Sequence, residues 1–219
     1  MKNSKLRRAL LLVACAVLLV SISVSATLAY LTSKTEVVTN TFSVGNVKIT
    51  LDEAAVNEYG KKLDKADKAE GDEGFNANNL KDRVTTNTYK LIPGHEYVKD
   101  PTIHVATATA NQAASEDCWL FVKVENGIAD IEAATTIANQ MTADGKWTLV
   151  NNQTNVYAYK EIVSAGEDVV VFNTFKVDGN ADVSTYASKT ITVQAYAVQA
   201  DGFTTAQAAW DAAPCTWGE

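Results

Sequence analysis

Short runs of β-branched and aromatic residues, separated by turn residues, recur along most of this 219-residue chain. In the clearest run, 190–199, the side chains of Ile191, Val193, Ala195 and Ala197 face one way and the residues between them face the other. This alternation is the period of a β-strand with two usable faces. The other runs with strand character are 44–51, 102–109, 119–125, 147–150, 156–163 and 169–172. The chain is therefore predicted to consist mainly of short strands.

Helical spacing of apolar residues is confined to two short segments after the first thirty residues, 128–141 and 204–212. A parallel α/β fold needs a helix after nearly every strand. The pattern instead predicts an all-β fold, an antiparallel jelly-roll-like β-sandwich with short helices. Lysine, aspartate and glutamate crowd together in residues 52–87, which are predicted to be a solvated, charged insertion that is partly helical at most.

The first 29 residues have the order of a secretory signal peptide. Four basic side chains lie within residues 1–8, and an unbroken apolar run follows at 9–20. The exit from this run ends in small residues, which fit a signal-peptidase cut between Ala29 and Tyr30. The sequence predicts a secreted protein that meets a signal peptidase during export and touches the membrane only through its uncleaved leader.

Two other interpretations of the leader are a retained membrane anchor and a lipoprotein signal. Residues 9–31 are about long enough to cross a bilayer at roughly 20 residues per span, but their serines and small-residue exit favour cleavage. Residues 12–15 fit the short pattern in which Cys15 would be lipidated. Only six apolar residues precede that cysteine, and a cut there would leave an apolar stretch on the mature chain.

The chain left after this cut is acidic, with 15 basic against 26 acidic residues and a net charge of −11. Such a surface repels nucleic acid and anionic membranes, so neither is predicted as a partner. Cys118 and Cys215 are the two cysteines that remain, and they form a candidate extracellular disulfide. Two independent free thiols remain the alternative, because the sequence does not tell whether their Cα atoms approach within bonding range.

Residues His95 and Glu96 begin like a helical zinc site. Such a site needs a second histidine one turn later, but position 99 is lysine and the preceding Pro-Gly pair favours a turn. His104 lies in a predicted strand, where a lone histidine is typically a surface or cross-strand residue. Residues 178–182 lack the spacing of a calcium loop and are predicted to be a turn. We therefore predict no catalytic residue, no metal site and no cofactor, and a protein that is not an enzyme.

Six aromatic residues could stack on a carbohydrate or pack the sandwich. Their positions in alternating strands favour packing. They are Trp119, Trp147, Tyr157, Tyr159, Tyr196 and Trp210.

Five segments of the chain together form a recognisable pattern. They are residues 26–32 (ATLAYLT), 40–53 (NTFSVGNVKITLDE), 91–94 (LIPG) with the following 99–101 (KDP), 119–124 (WLFVKV) and 195–203 (AYAVQADGF). Together these segments resemble the TasA and camelysin family of secreted Gram-positive proteins. Members of that family carry a leader that is handled by a dedicated signal peptidase of the SipW type. The resemblance does not cover the charged insertion.

The resemblance implies a jelly-roll domain at residues 44–219 and a location at the cell surface or in the extracellular matrix. For TasA-like members it also implies self-association into biofilm fibres, in which the new N-terminal segment of one subunit completes the sheet of the next. Here the candidate donor strand is 30–43, with Tyr30, Leu31, Val37, Val38 and Phe42 as its assembly residues.

The camelysin branch carries a metallopeptidase label, which leaves a secreted metallopeptidase built on His95 and Glu96 as an alternative. A non-polymerising surface adhesion module is a further alternative.

Overall fold

The structure, a computed structural model, describes residues 7–8, 10–17, 45–143 and 145–217. The chain divides into two compact units, Met1–Ser43 and Val44–Glu219. In the first unit, residues 7–8 and 10–17 are helical and exposed. The predicted cut, the candidate donor strand and most of the alternative membrane anchor lie outside the described residues. Within the described part of the chain, no helix is both long and apolar enough to cross a membrane.

The second unit is built mainly from short strands that pair antiparallel throughout. The strands are β1 (Ile49–Asp52), β2 (Glu96–Val98), β3 (Thr102–Val105), β4 (Cys118–Asn126), β5 (Trp147–Leu149), β6 (Val156–Tyr159), β7 (Asp168–Val170), β8 (Thr174–Lys176) and β9 (Ile191–Gln199). The helices are a 3-10 turn at Ala129–Ile131, α1 (Ile137–Ala143) and α2 (Ala206–Ala212). The predicted all-β, antiparallel class is confirmed.

Three sheets form, in the orders β1-β3-β7, β5-β6-β4-β9 and β2-β8. Strand β4 is the centre of the largest sheet, with β6 on one side and the full length of β9 on the other. Its side chains are buried on both faces because apolar residues occupy successive positions. The strand is therefore sandwiched between two layers.

The two faces of the largest sheet carry separate hydrophobic clusters. Leu120 and Val122 point into a core shared with the strands of the smaller sheets. Phe121 points to the opposite face, where helix α2 covers the sheet with Ala209 and Trp210. Helix α2 begins after Thr205, whose side chain accepts a hydrogen bond from the backbone of Ala208, the usual form of an N-cap.

The predicted strands and helices differ from the observed ones mainly at their ends. Predicted strand 102–109 ends at Val105, and 156–163 ends at Tyr159. The predicted helix 128–141 is divided into the 3-10 turn and α1. Residues 132–136 separate them, and the carboxylate of Glu132 accepts a hydrogen bond from the backbone N–H of Ile137. Strands β2 and β8 have three residues each and were not predicted.

Most residues of the charged segment 52–87 are exposed, although a few of its side chains are buried. It contains no helix, and isolated β-bridges hold it together. Asp64 is 2% exposed. One of its carboxylate oxygens accepts hydrogen bonds from the backbone N–H groups of Ala66 and Lys68, and the other accepts one from Asn76. One buried carboxylate therefore accepts hydrogen bonds from three loop N–H groups that would otherwise need water as their partner.

Candidate functional site

Strand β9 pairs with β4 on one side, and no strand of the described chain pairs with its other side. It has nine residues, all in register with β4 from Cys118 opposite Gln199 to Asn126 opposite Ile191. Backbone groups that no described strand pairs with, in a row this long, are a template for a further strand.

The register tells which backbone groups of β9 face the open side. In an antiparallel pair, the N–H and C=O of a residue point the same way, and successive residues point opposite ways. Cys118 exchanges both backbone hydrogen bonds with Val163, away from β9. Every second residue of β4, beginning with Cys118, therefore directs its backbone groups away from β9. The β9 residues opposite them direct their backbone groups away from β4, toward the open side. The residues of β9 with outward backbone groups are Ile191, Val193, Ala195, Ala197 and Gln199.

The same alternate residues direct their side chains toward the main core. Ile191, Val193, Ala195 and Ala197 pack against that core but are only partly buried. On β4, by contrast, Leu120 and Val122 are fully buried. The core is incompletely covered along the edge at β9.

A groove of about 750 Å³ lies at this edge, beside the first residues of β9. The segment 85–91, which belongs to no strand, also lines it. We call this space the edge groove and the segment its outer wall. The outer wall is held by alternate side chains: Asn87 bonds to the backbone of Ala54 and Val56, and the hydroxyl of Tyr89 donates to the carbonyl of Val98.

Charged and polar side chains also line the edge groove. The carboxylate of Glu53 accepts a hydrogen bond from Lys99 Nζ at 2.6 Å and one from Asn87 Nδ2 at 3.0 Å. Lys99 Nζ also lies 6.0 Å from the centre of the Tyr89 ring. Burial, together with the nearby negative charges of Glu53 and Asp100, raises the pKa of the Tyr89 hydroxyl.

The edge groove begins at Ile191, and the outward backbone groups and half-covered apolar side chains of β9 continue from there along the strand. An extended peptide satisfies both, because its backbone pairs with the edge and its alternate side chains cover the core. The site is suited to binding a strand.

The structure separates the two histidines that the sequence singled out. His104 lies on β3 between two carboxylates, with Nδ1 2.6 Å from Asp168 Oδ1 and Nε2 2.9 Å from Asp52 Oδ1. Burial by itself lowers the pKa of His104, but these hydrogen bonds raise it above its usual value. His95 Nε2 lies 3.0 Å from the carbonyl oxygen of Tyr59. Glu96 accepts a hydrogen bond from Thr174. No group of three metal-ligating side chains suited to a metal ion occurs among the described residues.

The two cysteines of the candidate disulfide are free thiols in the structure. Cys118 is buried in the core on one face of the largest sheet, whereas Cys215 packs against the cluster on the opposite face. Burial raises the pKa of the Cys118 thiol to about 11. The structure therefore does not bring the predicted pair together.

Most of the six aromatic residues considered for carbohydrate stacking are core residues. Trp119, Trp147, Tyr157 and Trp210 are buried. Residues 178–182 form turns in which the carboxylates of Asp178 and Asp182 accept backbone hydrogen bonds two residues onward.

Comparisons with known proteins found no matching family model, no similar curated protein and no similar solved structure.

Sequence reasoning identified β9 as a two-faced strand but missed the edge groove. Its only sequence signal is the alternation of Asn87, Tyr89 and Leu91 within a threonine-rich stretch, which has the period of a strand. That these residues lie across from β9 follows from contacts between distant parts of the chain.

Proposed function

We propose that this protein is an exported structural subunit of the cell surface or extracellular matrix that assembles by strand donation. In this proposal the N-terminal segment of one copy, residues 30–43, occupies the edge groove of the next and extends the largest sheet beyond β9. The observation that supports it is the nine-residue open edge of β9, with its half-covered apolar side chains. The proposal also includes membership of the TasA and camelysin family, whose sequence segments this chain resembles, a jelly-roll topology and assembly into biofilm fibres.

The length of the donor segment is compatible with this role. Fourteen extended residues span about 45 Å at a rise of about 3.3 Å each, and the nine residues of β9 span about 30 Å. The segment is rich in β-branched residues, including Val37 and Val38, and holds one lysine and one glutamate that cancel. It is therefore a suitable partner for an edge whose outward-facing backbone belongs mainly to uncharged residues.

Two variants test donation and acceptance separately. Removal of residues 30–42 from the processed chain deletes the donor and leaves the edge intact. The substitution Ala195→Pro removes an N–H that faces the open side, so it keeps the hydrogen bonds to β4. Ala195→Ser, which retains that N–H, is the matched control. We expect each of the first two variants to remain monomeric, and the control to polymerise like the natural chain.

Mixing the two defective variants gives the sharpest result. The donor-deleted copy can still accept a strand and the Ala195→Pro copy can still donate one, so the mixture should form heterodimers and nothing longer. Light scattering coupled to size-exclusion chromatography measures this directly. Polymerisation of the donor-deleted chain would refute strand donation, and a monomeric processed natural chain would favour the adhesion module.

A further inference from the structure

We infer that Lys99 and Asn87 form an intramolecular isopeptide bond, with Glu53 as the catalytic acid and base. Each oxygen of the Glu53 carboxylate contacts one reactant: Oε2 lies 2.6 Å from Lys99 Nζ, and Oε1 lies 3.0 Å from Asn87 Nδ2. One carboxylate therefore bonds both an amine and a carboxamide. This inference is independent of the proposed strand donation.

Two of the three residues are largely buried, and an aromatic ring lies beside them. The side chains of Lys99 and Glu53 are only 10% and 7% exposed. The ring of Tyr89 lies beside the lysine. The neutral pair of amine and carboxylic acid, formed by moving one proton along the hydrogen bond, is the nucleophilic form.

The carboxamide of Asn87 is held in place from both ends. Its Oδ1 accepts a hydrogen bond from the backbone N–H of Val56, and its Nδ2 also donates to the carbonyl of Ala54. A donor on the carbonyl oxygen stabilises the negative charge that develops when a nucleophile attacks the carbon. The hydrogen bonds to the two oxygens of Glu53 also restrain both reactants at one carboxylate.

The reaction requires no cofactor and no oxidant. Lys99 Nζ attacks Cγ of Asn87, and the new Nζ–Cγ bond creates a tetrahedral intermediate. Glu53 takes a proton from the attacking nitrogen and delivers a proton to Nδ2. The Cγ–Nδ2 bond then breaks, ammonia leaves, and Glu53 returns to its starting state. The product is a secondary amide between Lys99 and Asn87.

The bond would attach the outer wall of the edge groove to the end of strand β2. In the folded chain that wall forms few backbone hydrogen bonds, among them the one from Lys90 to Glu58. A covalent link at its centre keeps the wall in place when the groove is empty.

Peptide mapping of the purified full-length chain tests the inference. Trypsin cleaves after Arg83, Lys90 and Lys99, so an unlinked chain releases peptides 84–90 and 91–99. With the bond present, cleavage after Lys99 fails and peptide 84–90 remains joined to 91–123. The joined species should be about 17 Da lighter than the sum of its two parts, because one ammonia is lost in the acyl transfer. Recovery of free 84–90 and 91–99 from the natural chain would overturn the inference.

Three variants exclude other sources of the same mass loss. Lys99→Met removes the nucleophile, and Glu53→Gln removes the proton carrier while keeping its size, so both should yield peptide 84–90 in free form. Lys61→Met changes an exposed lysine and should retain the link. An ammonia loss within 84–90 that persists in Lys99→Met would come from a cyclic imide at Asn87, and it would also overturn the inference.

Discussion

One histidine joins all three strands of the β1-β3-β7 sheet. His104 on β3 lies opposite Thr50 on β1 and Asp168 on β7, and its ring bonds the carboxylates of Asp52 and Asp168. Arg83 adds a further contact to Asp52 from the charged segment. Although burial raises the pKa of Asp52, the hydrogen bonds from Arg83 and His104 lower it overall. The cluster therefore links β1 and β7, the two edge strands of this sheet.

The raised pKa of His104 predicts a specific pH dependence of stability. In the unfolded chain histidine titrates at about 6.5, so the stabilisation is complete below that pH. It is lost as pH rises through the higher pKa of the folded state. We expect the free energy of unfolding to fall over this interval in the natural chain and to change much less in His104→Gln. Urea denaturation at a series of pH values measures it, and Asp168→Asn should give an intermediate slope. Equal slopes in all three chains would contradict the role of this cluster.

A glycine beneath Tyr97 gives a second prediction at the residue scale. Gly60 has φ of +72°, and a Cβ built there would lie 2.6 Å from Tyr97 Cα. Gly202 has φ of +91° with open space around it. Alanine in the left-handed region costs about 1–2 kcal/mol, and Gly60→Ala adds the clash with a core residue. We expect Gly60→Ala to lower the free energy of unfolding by at least about 3 kcal/mol and Gly202→Ala by about 1 kcal/mol. Similar losses in chemical denaturation would show that the clash is relieved at little cost.

The strand position of a residue was easier to predict from the sequence than its contacts with distant residues. The strand pattern around His104 predicted a surface or cross-strand residue, and the structure places it across from Thr50 and Asp168. Sequence reasoning did not find the contact of Glu53 with Asn87 and Lys99. Two of these residues lie in or beside a highly charged stretch, where composition indicates only solvation. Their meeting depends on the bridge between Glu53 and Val84 and on the turn before β2, neither of which has a local pattern.

At the scale of elements, long alternating strands were predictable and short ones were not. Predicted segments 119–125 and 190–199 differ from β4 and β9 by one residue at each end, or less. Strands β2 and β8 each have a single buried residue at their centre, Tyr97 and Phe175, whose rings stack at 4.7 Å. Three residues are too few to show a period, and these strands exist because distant aromatic residues pack together.

The charged segment 52–87 provides a prediction at the scale of an element. Backbone hydrogen bonds, the largest from Lys68, lower the pKa of Asp64 and connect three parts of the segment. Asp64→Ala should leave those N–H groups unsatisfied, so amide hydrogen exchange should accelerate within residues 61–81. Strands β4 and β9 should keep their protection. Glu70→Ala removes an exposed carboxylate from the same segment and should change neither region. Accelerated exchange in β4 as well would indicate that the segment and the sandwich unfold as one unit.

At the scale of the whole molecule, the arrangement of charge decides how copies approach one another. Residues 30–219 carry a net charge of −11, whereas the β9 residues that face the open edge are Ile191, Val193, Ala195, Ala197 and Gln199. Long-range repulsion between subunits therefore opposes encounter, and the contacts of strand donation are backbone hydrogen bonds and apolar packing. Added salt weakens the long-range repulsion, since the screening length falls from about 10 Å at 0.1 M to about 3 Å at 1 M. It does not weaken the hydrogen bonds and apolar packing of strand donation.

We therefore expect the processed chain to polymerise faster as the sodium chloride concentration rises from about 0.05 to about 0.5 M, because screening removes the repulsion between acidic subunits. Light scattering over time measures the growth rate. The donor-deleted chain should stay monomeric at every salt concentration, which separates strand donation from general salting-out. Slower growth at high salt would mean that ion pairs between copies contribute to binding. The acceptor site would then extend beyond the uncharged edge of β9 to the acidic and basic side chains around the groove.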